Sequence, residues 1–366
     1  MDISALLTEL METPGPSGAE ERIAALIEAR WQPLTDGITY DRSGTLLGVK
    51  YGSGEPAGAG RRPRILLAGH MDEIGLMVSE IVAHPDKAGQ GFLRVAPLGG
   101  VDRRHIYAQQ VVVHGKQELP GIIGALPGRM LPEERASKPY EFGDLCVDTG
   151  LSYEALKAQV HIGDFITFYQ PARKLLNGWL TGKAIDNRAA VAAITVCLEY
   201  LQSRDHAWDV IAAATTQEET RLLGAFTSSF VTRPDAAIAI DVTFGKGPGA
   251  KDHQTFELGS GPTLAIGPNV HPGLHKGLKA AASELEMSVS LETHTRNSGT
   301  DAAGLQLARA GVPTAVVGIP LRYMHTMVET VAIKDIKRVG TLLGEFICGL
   351  TLDFTDQMAA ALMETE

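Results

Sequence analysis

The sequence predicts an α/β protein whose main domain is interrupted by a smaller β-rich insert. Three observations carry this reading. Short apolar runs ending in polar residues alternate with helical patterns towards both ends of the chain, as strands buried in a largely parallel sheet would. From about Ile74 to Tyr169 the character changes to brief β-branched segments separated by turn residues. A chain of 366 residues is also long for one ordinary domain and suits two. The predicted division places residues 1–73 and 174–366 in the discontinuous α/β domain and residues 74–173 in the insert.

Taken in order, Ile3, Leu6, Leu7 and Leu10 have helical spacing, and the run Pro14-Gly15-Pro16-Ser17-Gly18 stops that helix. Glu20 to Trp31 reads as a second amphipathic helix. Gly52 to Pro63, rich in Gly and Pro, reads as an exposed hairpin loop. Arg64 to Gly69 is a short apolar run delivering His70-Met71-Asp72, as a buried central strand would. In the insert, Val111–Val113, Gly121–Gly124 and Asp164–Phe168 are predicted strands. After Gly182 the α/β alternation resumes. Helices are expected over Asn187–Leu201, Thr300–Ala310 and Asp335–Leu350, and strands over Val210–Thr216, Ala236–Ile240 and Thr314–Gly318.

Composition excludes several classes. The apolar fraction of 44% is enough for a full core. A net charge of −10, with no run of Lys and Arg that could track phosphates, argues against nucleic acid as the main partner. No stretch of about 18 apolar residues suggests a membrane span, and the acids Asp2 and Glu9 break the pattern a signal peptide would need. Cys146, Cys197 and Cys348 are scattered and odd in number, which fits a reducing, cytoplasmic setting rather than a disulfide framework. With no CxxC or CxxH pattern, any metal site must be built from His and carboxylates.

Five polar stations stand out against the apolar runs: His70-x-Asp72, Asp186-Asn187, Glu218-Glu219, Asp241 and His325. In open α/β sheets, ligands bind at the carboxyl ends of strands, and most of these stations fall where such an end is expected. Singly, each has an ordinary explanation. Asp186 before a helix could be an N-cap, the glutamates a solvated pair, and His325 a loop residue in a Met-rich setting. Jointly they are harder to explain as structure, because a buried charge must be paired or bind metal. Imidazole and carboxylate are the normal ligands of Zn²⁺ and Co²⁺ outside Cys sites. Two His and three carboxylates can hold two metals about 3.5–4 Å apart if one carboxylate bridges them. Adjacent residues of a strand point to opposite faces. Glu218 and Glu219 can therefore share a site only if the strand has already ended, and Thr220-Arg221 suggests that it has.

The segments Gly69-His-Met-Asp-Glu-Ile-Gly75, Gly182-Lys-Ala-Ile-Asp-Asn-Arg188, Thr216-Gln-Glu-Glu219, Ile240-Asp-Val242, Gly299-Thr-Asp-Ala302 and Met324-His-Thr326 resemble, in this order, the TET-type metallo-aminopeptidases, also described as glutamyl or deblocking aminopeptidases. The resemblance extends into the insert through Leu98-Gly-Gly-Val-Asp102, Pro120-Gly-Ile-Ile-Gly124 and Asp144-Leu-Cys-Val-Asp148. It implies a metallo-exopeptidase α/β/α sandwich carrying a PDZ-like β-barrel that mediates dimerisation. It implies removal of N-terminal residues from peptides with a free N-terminus. Two divalent metal ions are implied, Zn²⁺ first, with Co²⁺ or Mn²⁺ as alternatives. By the resemblance His70, Asp186, Glu219, Asp241 and His325 bind metal, Asp186 bridging, with Asp72 orienting His70 and Glu218 as general base. Asp301, Thr300 and Arg221 are the expected substrate contacts. Dimers are expected to build a homo-oligomer, a tetrahedral dodecamer. The chain departs from the family where Val-Gly-Leu-Arg-Gly usually follows the paired glutamates and Thr220-Arg221-Leu222-Leu223-Gly224 stands instead.

Two other activities use similar residues. A related zinc carboxypeptidase or deacylase would carry its lid between the later ligands, whereas here the β segments separate His70 from Asp186. A glucanase would need two carboxylates flanking one bond, and the metal reading already uses the acids.

Overall fold

The computed structural model describes residues 1–53, 61–84 and 89–363. Most of the expected Gly52–Pro63 loop therefore lies outside the described residues. The two N-terminal helices span Ile3–Glu12 and Glu21–Trp31. Asp2 caps the first by accepting a hydrogen bond from Ala5 N at 3.1 Å.

Among the described residues an eleven-stranded sheet forms the frame. Its centre is four parallel strands in the spatial order Asp209–Thr215, Arg64–His70, Ala236–Phe244 and Thr314–Arg322. Alternate residues of each strand serve opposite faces. Ile65, Leu67, Val210 and Ile238 pack with the helices Ile3–Glu12, Ile185–Tyr200 and Ile333–Cys348. Leu66, Ala68, Ile211 and Ala237 pack on the other side with Ala225, Ala302 and Leu305. Apolar side chains on both faces make this an α/β/α sandwich, as the unbroken apolar runs imply.

Between His70 and the strand Trp179–Gly182 the chain builds a closed six-stranded barrel. In ladder order its strands are Gly75–Ala83, Gly91–Leu98, Cys146–Asp148, Glu118–Gly124, Gln110–His114 and Phe165–Phe168. It has its own core of Leu76, Val78, Leu93, Val113, Ile123 and Ile166. Closure removes free sheet edges, and Ile106, Leu156 and Met327 from outside the strands complete this core.

Three sequence-based expectations change. The helix expected over Thr300–Ala310 is only Ala302–Gln306, because positive φ at Arg309 (55°) and Gly311 (98°) turns the chain early into the next strand. The strands expected to end at Ile240 and Gly318 run on to Phe244 and Arg322. Asp241 therefore projects from within a strand, paired with Gly318, rather than from beyond its end. The strand that ends at Thr215 does stop before Glu218, and Glu218–Arg221 is one helical turn.

Candidate active site

Parallel registry brings the stations together. Thr215 lies beside His70 in the ladder, so the chain leaving Thr215 delivers Glu218 and Glu219 above His70. Asp241 projects from the next strand on the other side. Asp186, 116 positions from His70, arrives at the start of the buried helix Ile185–Tyr200. Asn187 ties that helix start to the sheet by donating from Nδ2 to Ile240 O at 2.8 Å. Asp186 is not an N-cap: its carboxylate faces two imidazoles. Oδ1 is 3.2 Å from His70 Nε2 and Oδ2 is 3.2 Å from His325 Nε2.

Two groups of donor atoms result, each within 4.8 Å: His70, Asp186 and Asp241, and Asp186, Glu219 and His325. Asp186 belongs to both. Glu218 belongs to neither, although its Oε2 is 3.7 Å from His70 Nε2. Asp72, fully buried, has Oδ1 3.3 Å from His70 Nδ1. Its two oxygens also accept from Glu218 N at 3.0 Å and Glu219 N at 3.2 Å. One carboxylate thus sets the ring of His70 and the backbone that carries both glutamates.

The electrostatics show what the cluster can hold. Burial, then the neighbouring Asp241, Asp301 and Glu219, push the Glu218 carboxyl up to about 10, against an opposing pull from His70. Burial likewise raises Glu219, and Asp241 well above the carboxylate range. His325 is raised to about 11 by its contacts with Asp186 and Glu219. For Asp186 the upward push of burial is outweighed by His325 and His70, and its carboxyl lies below the usual range. Without cations, protons must neutralise this concentration of buried acid. Imidazole and carboxylate donors in two triads with one shared member fit divalent cations of the Zn²⁺ type.

Two contributors have no role in the sequence reading, although the second lies in the motif Leu98-Gly-Gly-Val-Asp102. Glu329, 2% exposed, accepts from Asp186 N at 3.0 Å and from His325 N at 2.9 Å, so one carboxylate fixes the backbone of two members of the second group. Nothing in its local sequence separates it from an ordinary strand glutamate. The barrel supplies the other through Gly99 and Gly100. A Cβ on Gly100 would lie 2.5 Å from His325 Nδ1, and one on Gly99, at φ 80°, within 3.2 Å of Glu219. Only glycine lets this loop approach so closely, and the glycine pair is the sequence signal that could have marked it.

The expected substrate contacts divide. Thr300 and Arg221 line the cavity of about 910 Å³ that opens on the cluster. Asp301 does not. It is 2% exposed and turned to Thr215, whose hydroxyl donates to Oδ2 at 2.5 Å, and among the described residues its Oδ1 is buried without a hydrogen-bond partner. Burial raises its pKa to about 6.

An α/β/α sandwich that gathers two His and three carboxylates into two donor groups sharing Asp186 has the form of a metallopeptidase. The M42 glutamyl aminopeptidase family model matches residues 54–342, and the chain belongs to that family of peptidase hydrolases. It is 34% identical to the lysyl aminopeptidase of Pyrococcus furiosus (strain ATCC 43587 / DSM 3638 / JCM 8422 / Vc1), over 90% of this chain and 92% of that one. The TET aminopeptidase of the marine sediment archaeon Thaumarchaeota archaeon SCGC AB-539-E09 superposes with a TM-score of 0.88 at 31% identity, covering 97% and 98% of the two chains. The TET1 peptidase of Pyrococcus horikoshii, which can assemble into a tetrahedron or a large octahedral shell, superposes with a TM-score of 0.81 at 28% identity, covering 95% and 100%.

Proposed function

We propose that this aminopeptidase holds two divalent cations, Zn²⁺ in the first instance with Co²⁺ or Mn²⁺ as alternatives, and removes residues from peptides with a free N-terminus. The observation that carries this reading is the Asp186 carboxylate shared between the two donor groups. When bound, the cations would polarise the scissile carbonyl and lower the pKa of water towards neutrality. The chain does the rest. His70 and Asp241 complete one group and Glu219 and His325 the other. Asp72 holds His70 and the glutamate backbone in register. Glu218 takes a proton from the attacking water and passes it to the leaving amine. Burial first, and then repulsion from Asp241, Asp301 and Glu219, raise the Glu218 carboxyl; cations would offset the repulsion and favour its ionised, basic form. The buried acids of the cluster are the natural partners of the substrate ammonium, and Thr300 and Arg221 border its path.

Metal content and turnover of amino-acid p-nitroanilides with Zn²⁺, Co²⁺ and Mn²⁺ test this. Turnover should need about two metals per chain, vanish with chelator, and be poor on N-acetylated peptides. Efficient cleavage of blocked peptides at internal bonds would refute it.

We divide the chain into a catalytic α/β domain, 1–73 and 174–366, and a dimerisation domain, 74–173, supported by the separate barrel core. Ile122 and Leu126, 48% and 54% exposed on the barrel, support pairing of subunits, whereas Ile123 is wholly buried and contributes to the barrel core instead. Dimers would build a tetrahedral dodecamer. Light scattering should give a mass well above the 39.0 kDa monomer, and a fully active monomer at micromolar concentration would disprove assembly. A cytoplasmic location is supported by three free cysteines, and among the described residues no helix is long and apolar enough to cross a membrane.

A further inference from the structure

The cavity extends past the metal groups, and its wall carries an acid that the reaction does not use. Glu292 lies on the strand Ser290–Thr293, with its side chain 17% exposed. Its two oxygens are anchored separately: Oε1 accepts from Thr243 Oγ1 at 2.7 Å and Oε2 from Thr263 Oγ1 at 2.6 Å. His294 Nε2 lies 3.5 Å from Oε1. A carboxylate has about four acceptor positions, so these contacts leave room for a further donor from the cavity. Burial alone would raise its pKa, but the contacts from His294, Thr263 and Thr243 outweigh burial and hold it below the usual value, so the group stays ionised. Among the described residues no lysine or arginine forms an ion pair with it.

The surroundings match this charge to a particular shape. Val242, Phe244 and Val316 line the same cavity and offer apolar surface to an aliphatic stem. Gly318, also in the lining, pairs with Thr263 across the ladder. A Cβ there would collide with Thr263 Oγ1 and lie 3.1 Å from Glu292 Oε2. Glycine at this position preserves both the anchoring hydroxyl and the approach to the carboxylate. Arg221 and Arg296 line the cavity too, but both are exposed.

We propose that Glu292 determines specificity, and that the cavity selects peptides whose N-terminal side chain is a long aliphatic stem ending in a cation, lysine or arginine. The proposal rests on the aminopeptidase reading, and the experiment separates the two. The p-nitroanilides of lysine, norleucine and glutamate are compared on the metal-loaded wild type and on E292Q. Norleucine is lysine without its ammonium. The amide of glutamine can still satisfy both threonine hydroxyls, which rotate to donate or accept.

The wild type should favour lysine over norleucine in kcat/KM by about 10- to 100-fold, the worth of one hydrogen bond to a charged group. E292Q should lose that preference through the lysine substrate while its norleucine rate stays within about twofold. A wild type that cleaves norleucine as well as lysine overturns the proposal even if E292Q does not fold. So does a preference for the glutamate substrate, which would give the selecting role to Arg221 and Arg296, or an E292Q variant that still prefers lysine. Cleavage without discrimination overturns this proposal alone. No cleavage of any p-nitroanilide overturns the aminopeptidase reading and this proposal with it.

Discussion

Glu218→Gln is expected to keep both metals and to lose turnover by about 10²–10⁴-fold, the usual contribution of a positioned proton-transfer group. The basis is the placement of two adjacent glutamates. Glu219 shares its triad with Asp186 and His325, whereas Glu218 is in neither triad. Both hang from the same carboxylate, because Asp72 accepts from the backbone N–H of each. Glutamine at 218 preserves size and polarity and removes only the ability to take a proton. Glu219→Gln should behave in the opposite way, losing metal from the group with His325 and recovering activity as metal concentration rises. Metal analysis by mass spectrometry beside steady-state kcat decides the matter. A Glu218→Gln protein that loses metal but keeps full turnover per bound metal would reverse the two roles.

Glu73→Ala is expected to destabilise the fold by about 3–5 kcal/mol, the range for removing one partner of a buried ion pair. Glu73 is 2% exposed and lies between two buried cations, Lys183 Nζ at 2.6 Å and Arg188 Nη2 at 3.4 Å. It also accepts from Gly15 N at 3.1 Å, where the N-terminal segment turns beneath the barrel entry. Arg188 is further held by the carbonyls of Met71, Leu10 and Thr13. Without Glu73, Lys183 would lose its ion-pair partner among the described residues, or would have to give up its proton, a direction in which burial already pushes it. Adding Lys183→Met should therefore recover part of the loss. Urea melts of the wild type, Glu73→Ala and the double variant measure this. A Glu73→Ala protein within about 1 kcal/mol of wild type would show that the pair contributes nothing net, as some buried pairs do.

Much of the site was legible in the sequence. A carboxylate or imidazole at the end of an apolar strand has few structural uses, so His70 and the Glu218-Glu219 pair could be singled out from chemistry alone. The break at Thr220-Arg221 placed the end of the strand before the glutamates. The change from apolar runs to short β-branched segments located the interruption of the α/β domain. The family was legible because its motifs bracket these residues.

Other features depended on tertiary structure. Ladder registry and the packing of one buried helix make Asp186 the shared member of two triads, and no local pattern contains either. Thr300 and Asp301 are neighbours in the chain, yet Thr300 lines the cavity while Asp301 is turned to the hydroxyl of Thr215 on a neighbouring strand end. Asp241 looked terminal by its apolar run, but pairing with the strand Thr314–Arg322 carries its own strand on to Phe244. Glu329, Gly100 and the threonines behind Glu292 gain their roles from partners between 4 and 225 positions away. Periodicity reports which face of an element is apolar and where it ends, because those depend on neighbours along the chain. Which polar groups then meet depends on strand order, registry and closure of the barrel, and only the folded chain decides these.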